Sequence, residues 1–415
     1  MSAYNYLAEN KFFRRIPDVI AIGMVAFFSG AYLKLAFRNY HYFETGIDLG
    51  AYTLALNNLS HFRLPFDTFK NMVMWGDHAH FIISLIAPIF RLIPDARVIL
   101  AIQALSVTLT GWALYKIAKS LINNPLFSLS LLYAYLAFIG TQYALNTDFH
   151  PSVLTGAAII WFFYGIHFEK RWITILALAL GLMTREDAPP IYFMIGAYLM
   201  FRKRWKLAFA TMVISAVYFC VVAYGIMPIW TKDNAVLTYL DAGDKDPYNV
   251  IRGFFVYPKA IFENMFDNET KRSTIKSIYG SFGYLSLLSP LTYLGSLPIL
   301  FSRFTSPHEY RWALNNYSNA NILPIIAIGA IYGAENIIKV IRRIKPRYLP
   351  FFVSSLLGIA LIYATHAVAW SDPKIPLNFS NEKHIMPDNL IAEHEDAVKK
   401  ANEIIPQEAP IAVSS

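Results

Sequence analysis

Residues 97–171 read RVILAIQALSVTLTGWALYKIAKSLINNPLFSLSLLYAYLAFIGTQYALNTDFHPSVLTGAAIIWFFYGIHFEKR, and they decide the fold class. Three apolar runs, 97–119, 125–146 and 151–168, follow one another with only short breaks. The breaks differ in character. Lys116 and Lys119 flank the first, Asn146-Thr147-Asp148-Phe149-His150 fills the second, and Glu169-Lys170-Arg171 forms the third. A bilayer span takes about 20 mostly apolar residues. Runs of this kind therefore read as helices crossing a membrane back and forth, with basic loops on one side and an acidic, histidine-bearing loop on the other.

The same reading extends along the chain. Further apolar runs lie at 18–37, 172–184, 188–201, 207–227, 274–289, 291–304, 319–338 and 349–370, so hydropathy predicts an all-α polytopic membrane protein with about eleven spans. Phe81–Phe90 is too short to cross and reads as interfacial or re-entrant. Composition agrees: the 415 residues are 56% hydrophobic and only 15% charged, where a soluble domain carries about 25%. The first run is too long for a signal peptide's apolar region and lacks a small-residue cleavage site, so it reads as a retained anchor. The single cysteine, Cys220, excludes an intrachain disulfide and a Cys-based zinc site, and reads as a small packed hydrophobe.

Charge gives the orientation. With the N-terminus in the cytoplasm, the inner loops carry sixteen Lys and Arg against four acids, and the outer segments nineteen against twenty-four. The positive-inside rule favours this arrangement and, with eleven spans, an outer C-terminus. The domain reading is a membrane domain over 1–370 and an outer soluble segment over 371–415. The inner loops are short, and there is neither a P-loop nor a dinucleotide fingerprint, which excludes ATP hydrolysis. The net charge of +8 is spent on topology; no polar face interleaves basic and aromatic residues, so nucleic acid is set aside.

Four polar clusters face outward. The first outer loop carries Asp48, an amphipathic stretch Ala51–His61, and Trp75-Gly76-Asp77-His78-Ala79-His80. Asp48 suits either a helix cap or a catalytic carboxylate. Asp77 and His78 suit metal ligands, an acid–base pair or plain surface residues. The second cluster holds Asp148 and His150 at a membrane boundary, where charge is costly unless paired or wet; Asp148 also suits a cap on the next helix. The third, Arg185-Glu186-Asp187, suits an anion clamp oriented by its carboxylates, or a solvated loop. The fourth, His308–Asn319, mixes Asn316 and Tyr317 with Arg311, as sugar stacking or an aromatic belt would. Asp241, Asp244 and Asp246 lack the glycine and distal glutamate of a calcium loop and read as solvated surface.

Taken in order, Ile47-Asp48-Leu49-Gly50, Gly76-Asp77-His78, Asp148-Phe149-His150-Pro151, Arg185-Glu186-Asp187 and Asn316-Tyr317-Ser318 resemble the motif series of the domain-of-unknown-function 2079 membrane proteins, over about residues 40–335. Three positions depart from that series: Ile47 stands where Phe is usual, Arg185 where Lys is more common, and Asn316 where His is usual. The stretch from Glu393 to Ser415 looks like the start of that family's outer segment, which makes the chain read as a truncated product. The family in turn resembles the GT-C glycosyltransferases, which have an odd number of spans, interfacial helices in a long first outer loop, and a catalytic Asp there.

What the resemblance implies is a polyprenyl-phosphate-sugar-dependent glycosyltransferase at the outer face of the cytoplasmic membrane, acting on a cell-envelope acceptor. Asp48 is then the base and Asp148 the second carboxylate. Arg185, His150, Glu186, Asp187, Asn316 and Tyr317 bind substrate. No cofactor is required; a divalent cation, Mg or Mn, on Asp77 and His78 is optional. The partners are the lipid-linked donor, the acceptor and membrane lipid. A transporter or lipid flippase is the alternative, and a membrane scaffold a third reading.

Overall fold

Asn123, Asn124 and Pro125 show how this sequence turns a helix back on itself. Helix α5 (Ala96–Ile122) ends at Asn123, which adopts the left-handed conformation at φ 55°. Asn124 then caps α6 (Pro125–Leu136), its side chain accepting from the backbone N–H of Leu126 and Phe127. Pro125 occupies the first helical position, where a missing N–H costs nothing. The turn needs only two residues, so α5 and α6 pack antiparallel. In this computed structural model the described residues are 11–231, 256–343, 348–372, 374–378 and 387–404.

The described elements are almost wholly helical. They are α1 (Lys11–His41), α2 (Ile47–Ser60), a small hairpin of β1 (Phe66–Asp67) and β2 (Met72–Val73), α3 (Met74–Asp77), α4 (Ile83–Leu92), α5 and α6. Then come α7 (Ile139–Leu145), α8 (Val153–His167), α9 (Arg171–Leu182), α10 (Ala188–Phe201) and α11 (Trp205–Trp230, with a π turn at Val221–Ile226). The rest are α12 (Pro258–Met265), α13 (Glu269–Gly280), α14 (Pro290–Phe304), α15 (Glu309–Trp312), α16 (Asn319–Ile341), α17 (Leu349–Ala369) and α18 (Asp388–Ile404). The hairpin is antiparallel, with Phe66 opposite Val73 and Asp67 opposite Met72.

Five helices, α1, α5, α11, α16 and α17, are long and apolar enough to cross a membrane; α6 and α7, bent by 41° at their break, make a sixth together. By length and composition the described helices bear out five or six of the eleven expected spans. Helices α8, α9 and α10 have 15, 12 and 14 residues, and at about 1.5 Å per residue they reach about 18–22 Å, short of a 30 Å hydrocarbon layer. The run expected at 274–289 is not one helix. Helix α13 stops at Gly280, Gly283 and Tyr284 take positive φ, and a 3-10 turn follows at Leu285–Leu288. Cys220 is exposed rather than packed. The acidic triplet Asp241, Asp244 and Asp246, and the tail beyond 404, lie outside the described residues.

Helix α16 runs through the core, 83% of its apolar window buried. Gly333 lets the 3-10 turn approach: a Cβ there would lie 2.0 Å from the Leu285 carbonyl oxygen. Over one end of the bundle, α2 and α4 form a separate apolar cluster through Leu49, Leu56, Ile83, Ile86 and Phe90. The stretch expected to be amphipathic at 51–61 is helical as far as Ser60, but its buried residues are not confined to one face. The loops 146–152, 183–187 and 305–318 gather beneath this cap. Helix α18 touches the same end, with His394 against Phe43 and Glu395 3.7 Å from His41.

Candidate functional site

Helix α2 begins without a cap of its own, Gly46 offering no side chain to its free N–H groups. Asp148, about one hundred residues away, supplies the missing acceptor. Its Oδ1 takes the Gly46 N–H at 2.5 Å, and the Asp48 N–H also bonds this carboxylate. Gly46 has to be glycine for this, since a Cβ would lie 2.7 Å from Asp148 Oδ2. The sequence allowed Asp148 to cap the following helix; it caps α2 instead. The negative charge at a helix N-terminus is favourable in itself. The consequence is positional: Asp148 fixes the first turn of α2, and Asp48 stands on that turn.

Asp48 is open to the cleft, its side chain 57% accessible. Partial burial raises its carboxyl above the ordinary range, with Lys70 and His78 opposing and Asp77 adding to the rise. Asp148 is buried. Burial raises its carboxyl too, against the lowering by the Gly46 N–H, and the nearby Asp48 charge adds to it.

The loop carrying Asp148 is held from α5. Gln103, in the middle of an apolar run, donates from Nε2 to the Asp148 carbonyl at 3.1 Å and accepts the His150 N–H at 2.7 Å. Asn39 at the end of α1 donates to the Asn146 carbonyl at 2.7 Å. The His150 ring stacks on Tyr317 with centroids 3.6 Å apart, and its Nδ1 lies 3.7 Å from Asp48 Oδ2. Burial, with Arg185 nearby, pushes the His150 imidazole down to about 3, so the neutral ring faces Asp48.

A second network binds the first outer loop to the turn between α9 and α10. Glu186 accepts from His78 Nδ1 at 2.7 Å and from the Ala79 N–H at 3.0 Å. His80 Nδ1 lies 2.6 Å from the Thr184 carbonyl. Burial alone would raise the Glu186 carboxyl, but His78 and Arg185 together hold it well below its usual value. Arg185 Nε sits 3.4 Å from Glu186 and 3.7 Å from Asp187. Burial raises the Asp187 carboxyl, Arg185 opposing, and its Oδ1 has no hydrogen-bond partner among the described residues. Asp77 pairs with Lys70, and its Oδ2 lies 4.0 Å from His78 Nε2. Asn316 turns its Oδ1 to the Ser318 N–H at 2.8 Å.

Two polar clefts meet here. One, about 90 Å³, holds Asp48, Lys70, Asp77, His80 and His150. The other, about 180 Å³, holds Asp187, Arg303, Arg311, Asn316 and Asn321. His78, Arg185 and Tyr317 line both, and so form the wall between them. Apolar grooves approach from the bundle. A groove of about 690 Å³ between α4, α5, α8 and α9 reaches Ile82 and Thr184. A second, about 290 Å³, runs between α10 and α11 to Pro298, which also lines the 180 Å³ cleft.

The structure brings Asp48, Asp148 and His150 together, with one ligand atom from each within 4.8 Å of the others. Two carboxylates and a neutral imidazole suit a divalent cation, although one Asp148 oxygen is already engaged by α2. Asp77 and His78 are drawn into pairs with Lys70 and Glu186. Of the residues singled out in the sequence, Asp48, His78, His150, Arg185 and Tyr317 line one cleft, and Asp187 and Asn316 the other. Gln103, Arg303 and Asn321 were missed. Each is a polar residue inside an apolar helix, and that isolation was the available signal.

A family model described as "Predicted membrane protein (DUF2079)" matches residues 38–415, and the chain belongs to that family. No curated protein and no solved structure matches.

Proposed function

We propose that this member of the DUF2079 family transfers a sugar from a polyprenyl-phosphate carrier to an acceptor of the cell envelope, at the outer face of the cytoplasmic membrane. The observation that carries the reading is that Asp48 and Arg185 line one cleft at the end of the bundle, beside apolar grooves suited to a lipid tail. The orientation follows from the basic loops at the other end, with the N-terminus inside and the C-terminus outside.

In the reaction the acceptor hydroxyl oxygen bonds the anomeric carbon as that carbon's bond to the phosphate oxygen breaks. Asp48 takes the hydroxyl proton, and its raised carboxyl suits a general base. Arg185 meets the negative charge that develops on the departing polyprenyl phosphate, as a preorganised cation in a partly dry site. Asp148 positions Asp48 through α2, and Tyr317 and His150 offer an aromatic wall to the sugar. A divalent cation, Mg or Mn, on Asp48, Asp148 and His150 would add charge stabilisation when bound.

A transporter or flippase calls for charge near the bilayer midplane. Here the buried charges gather at one end, which favours transfer. The test is transfer from a polyprenyl-phosphate hexose in proteoliposomes. Asp48→Asn is expected to lower the rate by about 10²–10⁴-fold with the fold intact; full activity in that variant would overturn the assignment. Mass spectrometry of co-purifying lipids should also find the carrier with the wild type and not with Arg185→Ala.

A further inference from the structure

The end of the bundle opposite the clefts carries a feature that sugar transfer does not use. The hairpin of α8 and α9 and the hairpin of α10 and α11 turn on one recurring pattern, Phe168-Glu169-Lys170-Arg171-Trp172 and Phe201-Arg202-Lys203-Arg204-Trp205. In each, the chain reverses within three residues, one of them left-handed: Glu169 at φ 56° and Lys203 at φ 57°. Turns this tight push their side chains outward. Lys170, Arg171, Lys203 and Lys206 are exposed, Trp172 is 81% exposed and Trp205 59%. The two tips are neighbours, since Arg204 Nη1 donates to the Ile166 carbonyl at 3.2 Å. Glu169 is the one acid in either pattern. Bases in the first turn of α9 and α11 oppose the helix dipole, so they do not serve the helices that carry them.

Depth gives the tips their chemistry. The rings of Phe163, Tyr198 and Tyr332 form one layer across α8, α10 and α16, with the first two centroids 6.4 Å and 5.9 Å from the third. Beyond that layer α8 runs four residues to His167, α10 three to Phe201, and α16 nine to Ile341. At about 1.5 Å per residue, both hairpins stop about 7–9 Å short of the end of α16. Their bases therefore stand beside the flank of a helix long enough to cross the membrane, not beyond its end. Lipid tails against those bases would leave charge in hydrocarbon, which is costly. A bilayer meets a short hairpin by thinning, which draws its headgroups inward, and tryptophan settles at headgroup level.

We infer that the paired tips are a docking surface for the headgroups of anionic phospholipid. The phosphates lie against Lys170, Arg171, Lys203 and Lys206, while Trp172 and Trp205 pack at the boundary between headgroup and tail. Charge selects the occupant: a zwitterionic headgroup brings its own cation to the tips, whereas an anionic one brings net negative charge. This surface works whether or not the clefts transfer sugar.

The test is native mass spectrometry of the full chain released from nanodiscs of phosphatidylcholine mixed with phosphatidylglycerol, with the retained lipids counted by class. The wild type is expected to retain phosphatidylglycerol well above its share of the disc. Lys170→Gln, Arg171→Gln, Lys203→Gln and Lys206→Gln combined should lower that preference by about 10–100-fold. The charge-keeping set Lys170→Arg, Arg171→Lys, Lys203→Arg and Lys206→Arg should retain it, which separates recognition from misfolding. Arg63→Gln with Lys259→Gln, two bases away from the tips, should leave it unchanged. An unchanged preference in the fourfold Gln variant overturns the docking surface, and so does an equal loss in the Arg63 and Lys259 variant. A second readout fixes the source of the phosphate. Phosphatidylglycerol should raise the melting temperature of the wild type in discs and not that of the fourfold Gln variant. An equal rise from inorganic phosphate added to pure phosphatidylcholine discs would overturn lipid as the occupant.

Discussion

The two ends of the bundle handle charge in opposite ways. At the inner end under the proposed topology, Asp18 pairs with Lys119, each side chain 28% accessible, and Arg202 rests 4.6 Å over the Tyr332 ring. At the site end, Asp148, His150, Arg185 and Glu186 are all under 10% exposed, and Asp148, His150 and Glu186 are tied to residues far away in the chain. Burying a charge costs far more than leaving it at an interface. A fold that needed only to anchor itself could have left both ends alike. The buried charge at one end coincides with the site at which the proposed transfer would take place.

That contrast can be broken most sharply at Glu186. Glu186→Ala leaves half-buried His78 and buried Arg185 without their shared carboxylate, and the expected loss is about 3–5 kcal/mol, read as a large fall in melting temperature in detergent. Gly46→Ala comes next. Its methyl meets Asp148 at the mouth of α2, and about 1–3 kcal/mol of strain is expected. Transfer should fall further than stability does, because Asp48 moves with the helix.

Acid sharpens the comparison more gently. Burial pushes the His80 imidazole down from 6.5 to about 3, so between those values the unfolded chain binds the proton and the folded chain does not. Stability should therefore decline as pH falls from 6.5 toward 3, and His80→Gln should flatten that part of the melting curve. The smallest effect belongs to the other end. Asp18→Asn should cost about 0–1 kcal/mol and leave transfer unchanged, and a loss of transfer there would erase the distinction between the two ends.

The polar motifs, which the fold gathers at one end of the bundle, were legible because charge between apolar runs is rare and has to be accounted for. The helical class was legible for the same reason. The span count was not. Hydropathy weighs composition, and the run at 172–184 is as apolar as the longer helices although its helix has only 12 residues. At 274–289 the apolar average hid Gly283 and Tyr284, whose left-handed backbone ends the helix. Partnership was also beyond reach. Asp148 beside Pro151 looks like a local cap, and only the folded chain brings α2 to it. Arg303 and Asn321 sit in runs read as membrane spans, where the eye passes over single polar letters.

The stack of His150 on Tyr317 joins residues from the front and the far part of the chain. A membrane protein is threaded into the bilayer as the ribosome makes it, and here the acid–base half emerges long before the residues that wall it. On the proposed transferase reading, the early helices would offer no closed seat for a sugar carrier until Tyr317 and the arginines around it have left the ribosome. Synthesis itself would then act as a safeguard, keeping scarce lipid-linked sugar from being trapped by half-made copies.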